Sequence, residues 1–389
     1  MKNIIEETNA HIMPTYGRSE VVLHEGKGAT IQDENGKSYI DFGSGIGTAS
    51  LGYNDQAWAD AVCAQVRHIQ HTSNLFYHAP QAEFAEKLCA VTGYEKVFFG
   101  NSGAEANECA IKLARKYSFD KYGKGRSTII TLVNSFHGRT IATLSATGQD
   151  VFHNYFFPFV GDFRYAKAND IADLHEKLDD TVCAIMIEYV QGEGGVMALD
   201  KAFVEEIRKI CDERDILMVA DEVQTGTGRT GKFLAGEHYG VLADVTTLAK
   251  GIGGGLPIGV CLASKKCADV LGKGAHGSTF GGNPVVCAGG IQVLETLTKP
   301  GVMEDIADKA NWIRTQLAAL DEVEDVTGLG FMIGIQLKTK KAPDVLKACL
   351  EKGLLVLTAK EKVRLLPPLT ISRAELEEGL KILKEVLEV

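Results

Sequence analysis

A chain of 389 residues exceeds what one hydrophobic core usually organises, so two domains, or one large domain with appendages, are expected. Hydrophobic residues at 45% and charged residues at 24% give the balance of a soluble globular protein. A formal net charge of −10 argues against nucleic acid or an anionic membrane as partner, because either would be repelled at long range.

The opening stretch carries two acids by residue 7 and no long apolar run, so it does not read as a secretory leader. No run elsewhere approaches membrane-spanning length. The nine cysteines form no C-x-x-C pair and lie in apolar segments, which reads as reduced, buried thiols of a cytoplasmic protein with no metal site.

Residues 20–42 alternate apolar and polar around Gly26–Gly28 and Asn35-Gly36, predicting short antiparallel strands and a hairpin. From about residue 55 short β-rich runs alternate with helical patterns. The runs are Val97–Phe99, Thr128–Val133, Val182–Ile187, Ile216–Ala220, Val245–Leu248 and Gly259–Ala263. Between them lie helices such as Ala104–Tyr117, where Ala106, Cys109, Ala110, Leu113, Ala114 and Tyr117 recur at the spacing of one buried face. This alternation predicts an α/β fold with a mainly parallel sheet covered on both faces. Beyond about residue 285 helical patterns dominate, broken by strand signals at Thr327–Leu337 and Leu354–Leu357. The expected division is a large domain over 51–285 and a smaller α+β domain built from both chain ends, 1–50 and 286–389.

Ligands of open parallel sheets sit at the carboxyl ends of the strands. Five segments there carry candidate chemistry. After Val97–Phe99, Asn101-Ser102-Gly103-Ala104-Glu105 opens a helix whose free N–H groups suit an anion, although Ser102 and Glu105 also fit a plain capping box. After Thr128–Val133, Phe136-His137-Gly138-Arg139 offers a ring for stacking and a cation for a carboxylate. Ile216–Ala220 ends in Asp221-Glu222-Val223-Gln224; a buried acid needs a cation or donors, and a pyridine nitrogen is one such partner, a salt bridge another. Val245–Leu248 runs into Lys250 ahead of a glycine loop, where burial lowers an amine's pKa and makes it nucleophilic. His276–Pro284 is a glycine-rich turn with Ser278 and Thr279 as hydroxyl donors for a phosphate.

The ordered strings N-S-G-A-E-A-N-E, F-H-G-R-T, D-E-V-Q-T-G-x-G-R-T-G, L-A-K-G-I-G-G-G-x-P-I-G and H-G-S-T-F-G-G-N-P together resemble the class III (ω-amine) aminotransferases over nearly the whole chain. Within that family the compact length, F-H-G-R-T and Gln191-Gly192-Glu193-Gly194-Gly195 look most like the acetylornithine branch; the ornithine and succinylornithine branches share most of these. The resemblance implies fold type I, a homodimer with its active site at the interface, and pyridoxal phosphate held by Lys250 as a Schiff base. It further implies that Asp221 pairs with the pyridinium nitrogen, with Glu222 and Val223 beside it, that Gln224 lies near the ring hydroxyl and that Phe136 stacks on the ring. Ser102, Gly103 and Ala104 would hold the phosphate, with Thr279 and Ser278 reaching in from the neighbouring subunit. Arg139 would take the carboxylate of the ω-amine donor, Arg364 the second carboxylate of glutamate, and Glu193 would neutralise Arg364 when that carboxylate is absent; Tyr16 would cap the carboxylate end. The implied reaction is N-acetylornithine with 2-oxoglutarate; succinylornithine, ornithine and 4-aminobutyrate are the alternatives. Two positions depart from the family's usual residues: Ala104 in place of Thr and Tyr189 in place of Pro.

Three other readings compete, and one of them, a non-catalytic protein that keeps the fold for binding, would need none of Asp221, Lys250 and Arg139. Gly226–Lys232 fits the G-x-x-x-x-G-K of a phosphate-binding nucleotidase loop, but Phe233 stands where a hydroxyl is needed for Mg²⁺. A dinucleotide fingerprint near Gly251–Gly255 fails because Leu256 occupies its final glycine position.

Overall fold

All six apolar runs are strands, and all six lie in one seven-stranded sheet of the computed structural model, which describes residues 3–388. In chain order the strands are β1 (Lys96–Gly100), β2 (Thr128–Leu132), β3 (Phe163–Ala166), β4 (Val182–Ile187), β5 (Leu217–Asp221), β6 (Val245–Leu248) and β7 (Gly259–Ala263). Their spatial order is β1-β7-β6-β5-β4-β2-β3. Every neighbouring pair is parallel except those of β7, which runs against both β6 and β1. β3 has no counterpart in the sequence reading. It is an edge strand whose charged Arg164 and half-buried rings break the continuous apolar pattern of a central strand.

Helices cover both faces. α1 (Gly103–Tyr122) buries the six residues expected of it, together with Asn107, Ile111 and Ser118. α2 (Lys201–Glu213) turns Phe203, Val204, Ile207 and Ile210 inward, each contributing about 1.5–3 kcal/mol by leaving water. α3 (Pro284–Leu297) starts at an Asn283 cap with proline in its first turn and packs against the helices Gln56–His68 and Ala79–Thr92.

The N-terminal strands form as expected: Leu23–Lys27 and Thr30–Asp33 pair as a hairpin, and Ser38–Asp41 joins them antiparallel. Leu354–Leu355 then adds to Ser38–Asp41 in parallel, so the last part of the chain completes a sheet begun by the first. A second C-terminal sheet contains Val323–Leu329, Met332–Leu337, Lys362–Leu365 and Leu357–Ala359. The single signal at Thr327–Leu337 is therefore a tight hairpin, turning at Gly330 where φ is +54°. No helix among the described residues is long and apolar enough to cross a membrane.

Candidate active site

Strand register brings the key side chains to one edge. Asp221 ends β5 directly beside Thr247 of β6, and Lys250 follows three residues later. Lys250 adopts a left-handed φ of +48° at the start of a short 3₁₀ turn, Lys250–Gly253. Such a conformation costs a non-glycine residue about 1–3 kcal/mol and persists where the surroundings fix it. Lys250 and Asp221 line the same cavity, of about 470 Å³. Burial lowers the Lys250 amine below its ordinary basicity; the negative charges of Asp221 and Glu193 oppose that shift without cancelling it.

Asp221 is only 3% exposed and is held by donors on three sides. Its Oδ2 accepts from Asn107 Nδ2 at 2.7 Å and lies 2.8 Å from His137 Nδ1, while Oδ1 accepts from the Val223 N–H at 3.0 Å. Thr247 donates to Asn107 Oδ1 at 2.7 Å and Asn107 donates to the His137 carbonyl at 2.8 Å, which fixes the orientation of the Asn107 amide. A proton on His137 Nδ1 follows from its acceptor, leaving Nε2 as a buried atom without a partner. Neither Asn107 nor His137 had an assigned role in the sequence reading, and both decide where the carboxylate sits.

The β1–α1 turn supplies the anion-binding end. Ser102 caps α1 by accepting from the Glu105 N–H at 3.1 Å. Glu105 does not complete the box on Ser102; it accepts from the backbone and side chain of Asn101 instead. Gly103 and Ala104, at the start of the helix, line the cavity. Gly259 lets this turn approach, since a Cβ there would stand 2.1 Å from the Ser102 carbonyl oxygen. Ser278 Oγ accepts from Asn101 Nδ2 at 3.1 Å and from the Gly281 N–H at 3.0 Å; Thr279 is exposed, and neither lines the cavity of its own chain.

Two arginines stand apart in their surroundings. Arg364, 4% exposed, donates to Glu193 Oε1 at 2.6 Å and reaches Gln224 Oε1 at 3.5 Å. Burial alone would raise the Glu193 carboxyl, but the Arg364 charge and hydrogen bond outweigh it and hold Glu193 below its ordinary value. Arg139 lines the cavity at an exposed position, with its guanidinium over the rings of Phe152 at 4.4 Å and Phe136 at 5.5 Å. Tyr16 is 74% exposed beside Arg18 and does not line the cavity.

Glu222 is corrected by the structure. Adjacent residues of extended chain point to opposite faces, so with Asp221 in the cavity Glu222 faces away. It accepts from the N–H groups of Ala235 at 2.6 Å and Gly236 at 3.1 Å and from Thr225 Oγ1 at 3.2 Å. Val223 and Gln224 do line the cavity. So does Glu188, absent from the sequence reading, which accepts from the Phe136 N–H at 2.9 Å; burial, then the Asp221 charge, push its carboxyl well above the ordinary value. Gly226–Lys232 forms successive turns followed by a short 3₁₀ segment, Ala235–His238, and Arg229 is buried against the Pro367 carbonyl; there is no helix start to cradle a nucleotide phosphate.

The model of the family described as "Aminotransferase class-III" matches residues 12–387. The chain belongs to that family. Members of this family use pyridoxal phosphate, and this chain is a pyridoxal-phosphate-dependent aminotransferase with the fold of that family. Among its relatives, the acetylornithine aminotransferase of Haemophilus ducreyi is 49% identical over 97% of this chain and 96% of that protein. The acetylornithine aminotransferase of Caldanaerobacter subterraneus is 46% identical over 97% of each. Similar solved structures include N-acetylornithine aminotransferase from Stenotrophomonas maltophilia, with TM-score 0.86 and 34% identity over 99% of this chain and 98% of that one. Ornithine aminotransferase from Toxoplasma gondii superposes with TM-score 0.94 at 29% identity, over 98% of this chain and 93% of that one. At the two departures from the family's usual residues, Ala104 lines the cavity and Tyr189 is buried, stacked on Tyr239 at 5.1 Å.

Proposed function

We propose that this class-III aminotransferase transfers the ω-amine of N2-acetyl-L-ornithine to 2-oxoglutarate, giving N-acetyl-L-glutamate 5-semialdehyde and L-glutamate, a step in arginine biosynthesis. The observation that carries it is the meeting of Lys250 and Asp221 on one cavity, with the Glu193–Arg364 pair close enough for both of its charges to act on Lys250; the names of the relatives support the choice of substrate.

The residues present fit pyridoxal phosphate. Asp221 is braced from behind by Asn107 and His137 and still faces the cavity, and the N-terminal N–H groups of α1 open onto the same space. Ser102, Gly103 and Ala104 would hold its phosphate, Phe136 its ring face, Gln224 and Val223 its flank, and Lys250 would hold it covalently. Bound pyridoxal phosphate supplies an aldehyde that condenses with primary amines and a protonated ring that draws electrons from the breaking bond. Asp221 keeps the ring nitrogen protonated. Lys250, whose depressed basicity leaves a neutral amine available, takes the proton from the substrate carbon and returns it on the other side of the transfer.

Arg139 receives the carboxylate of the donor as a bidentate pair. Arg364 receives the carboxylate that glutamate carries next to the reacting carbon, and Glu193 neutralises Arg364 when an ω-amine occupies the site, because an unpaired buried cation is costly. Thr279 and Ser278 complete the phosphate end of a partner's site in a homodimer, and Tyr16 closes over the carboxylate end. The small domain formed by both chain ends, 1–50 and 286–389, carries Arg364 against the large domain of 51–285, and the enzyme works in the cytoplasm. Specificity constants for N-acetylornithine, succinylornithine, ornithine and 4-aminobutyrate test the reading. N-acetylornithine is expected to be highest; a clear lead for ornithine or 4-aminobutyrate overturns the substrate assignment.

A further inference from the structure

Arg139 differs from the other cation of the site in what holds it. Among the described residues it has no ion pair and no hydrogen bond, so all five of its N–H donors are free of protein acceptors. Two rings face it instead. The guanidinium lies in the corner between Phe152, at 4.4 Å, and Phe136, at 5.5 Å, whose planes meet at 71° with centroids 5.8 Å apart. A ring face attracts a cation without consuming its donors, and so fixes the guanidinium while leaving its edge available to a carboxylate.

Phe152 is itself anchored. It ends the short turn Asp150–Phe152, whose approach is tied to the segment carrying Phe136: the Gly148 N–H donates to Ser135 Oγ at 3.0 Å and Gln149 Nε2 donates to the Ser135 carbonyl at 3.0 Å. On the far side His153 Nε2 stands 3.0 Å from the Leu144 carbonyl, and the His153 ring packs 5.2 Å from Phe159. The ring of Phe152 is therefore held in place relative to Phe136 and Arg139 by contacts that involve neither cofactor nor substrate.

We propose that Phe152 is a positioning residue for substrate specificity: it holds Arg139 with its donors free and thereby sets the affinity for the carboxylate head of both substrates. This rests on the reading of Arg139 as the carboxylate receptor. A guanidinium without the Phe152 face has more rotamers to lose on binding, so the deficit falls on binding and leaves the chemistry at Lys250 untouched.

The test uses the holoenzyme and three variants: Phe152→Leu, Phe152→Tyr and Arg139→Gln. Calorimetry measures binding of N-acetylnorvaline, which keeps the acylamino-carboxylate head and lacks the reacting amine. Single-turnover absorbance follows pentylamine, which has the reacting amine and no head. Phe152→Leu is expected to weaken N-acetylnorvaline binding roughly five- to tenfold. It should raise KM for N-acetylornithine and 2-oxoglutarate by the same factor at unchanged kcat, and leave pentylamine unaffected. Phe152→Tyr, which keeps the ring, should behave as the parent. Wild-type affinity in Phe152→Leu while Arg139→Gln binds poorly overturns the role of Phe152 alone. Wild-type affinity in Arg139→Gln overturns the carboxylate reading beneath it. Equal losses for pentylamine and N-acetylnorvaline, or a Phe152→Tyr variant no better than Phe152→Leu, reduce Phe152 to a packing residue and overturn the proposal.

Discussion

The two arginines of the site solve opposite problems. At the Arg364 end the guanidinium is buried at 4% exposure and already paired, 2.6 Å from Glu193. At the Arg139 end the guanidinium is exposed, has no ion pair among the described residues and lies against two aromatic faces. A carboxylate that is always present in the substrate calls for a cation that is always free. A carboxylate present in only one of two substrates calls for a cation that can be neutralised, because burying an uncompensated charge costs several kcal/mol. The contrast teaches that the partner of an arginine, rather than the arginine itself, decides whether it acts as a fixed or a switched receptor.

Both ends serve one amine, so the largest expected effect erases the contrast altogether. Lys250→Ala should lose turnover by at least ~10⁴-fold in both half-reactions, since it removes nucleophile and proton carrier together. Borohydride should then fail to fix cofactor to the chain, as read by mass spectrometry. Residual turnover within tenfold of the parent would mean that a different lysine holds the cofactor.

Removing the cations one at a time sharpens the comparison. Loss of a charge-assisted pair costs about 1.5–3 kcal/mol, or roughly 10–100-fold in kcat/KM. Arg139→Gln should show that loss with N-acetylornithine and with glutamate. Arg364→Gln should show it with glutamate alone. Equal losses from both variants in both half-reactions would break the distinction between a fixed and a switched end.

A smaller, asymmetric effect is expected from the carboxylate of the pair. Glu193→Gln leaves Arg364 unneutralised when the ω-amine is bound, so kcat/KM for N-acetylornithine should fall roughly five- to tenfold, with glutamate changed by less than half of that. Half-reactions measured separately by cofactor absorbance decide it. Identical losses on both sides would remove the switch.

The fixed end shows where sequence reading reaches its limit. Six strands of the central sheet were legible because strands of a sheet covered on both faces are largely apolar runs, and Asp221 and Lys250 were legible because they follow two of those runs. The strand carrying Arg364, Lys362–Leu365, was not, since its two charges among four residues hide the pattern. Asn107 and His137 gave no signal beyond helix periodicity and a motif, because their role depends on an acid far away in the chain. Phe152 lies in an aromatic-rich surface loop whose composition does not say which ring meets Arg139. Glu222 was misread although the signal existed: a period of two separates it from Asp221.

Because Glu222 belongs to the opposite face, it supplies the smallest predicted effect on the site and a control on the whole comparison. Its carboxyl is buried at 2% exposure, and burial pushes it up to about 7 from an ordinary 4.5, against the donors Ala235, Gly236 and Thr225. A raised carboxyl means that the folded protein keeps a proton that the unfolded chain releases first. The stability contributed by Glu222 is therefore full below about pH 4.5, declines as the pH climbs toward 7, and is flat above the folded value. In Glu222→Gln this slope is absent, so the difference in melting temperature between parent and variant should drift against the parent between those pH values and level off beyond them. Gln also places an N–H donor where the carboxyl accepts from backbone N–H groups, which shifts the offset and not the slope. KM for both substrates should stay within twofold of the parent. A parallel pair of melting curves across that window would show that Glu222 is ionised in the fold, and a change in KM at either arginine would show that the two faces of β5 are coupled after all.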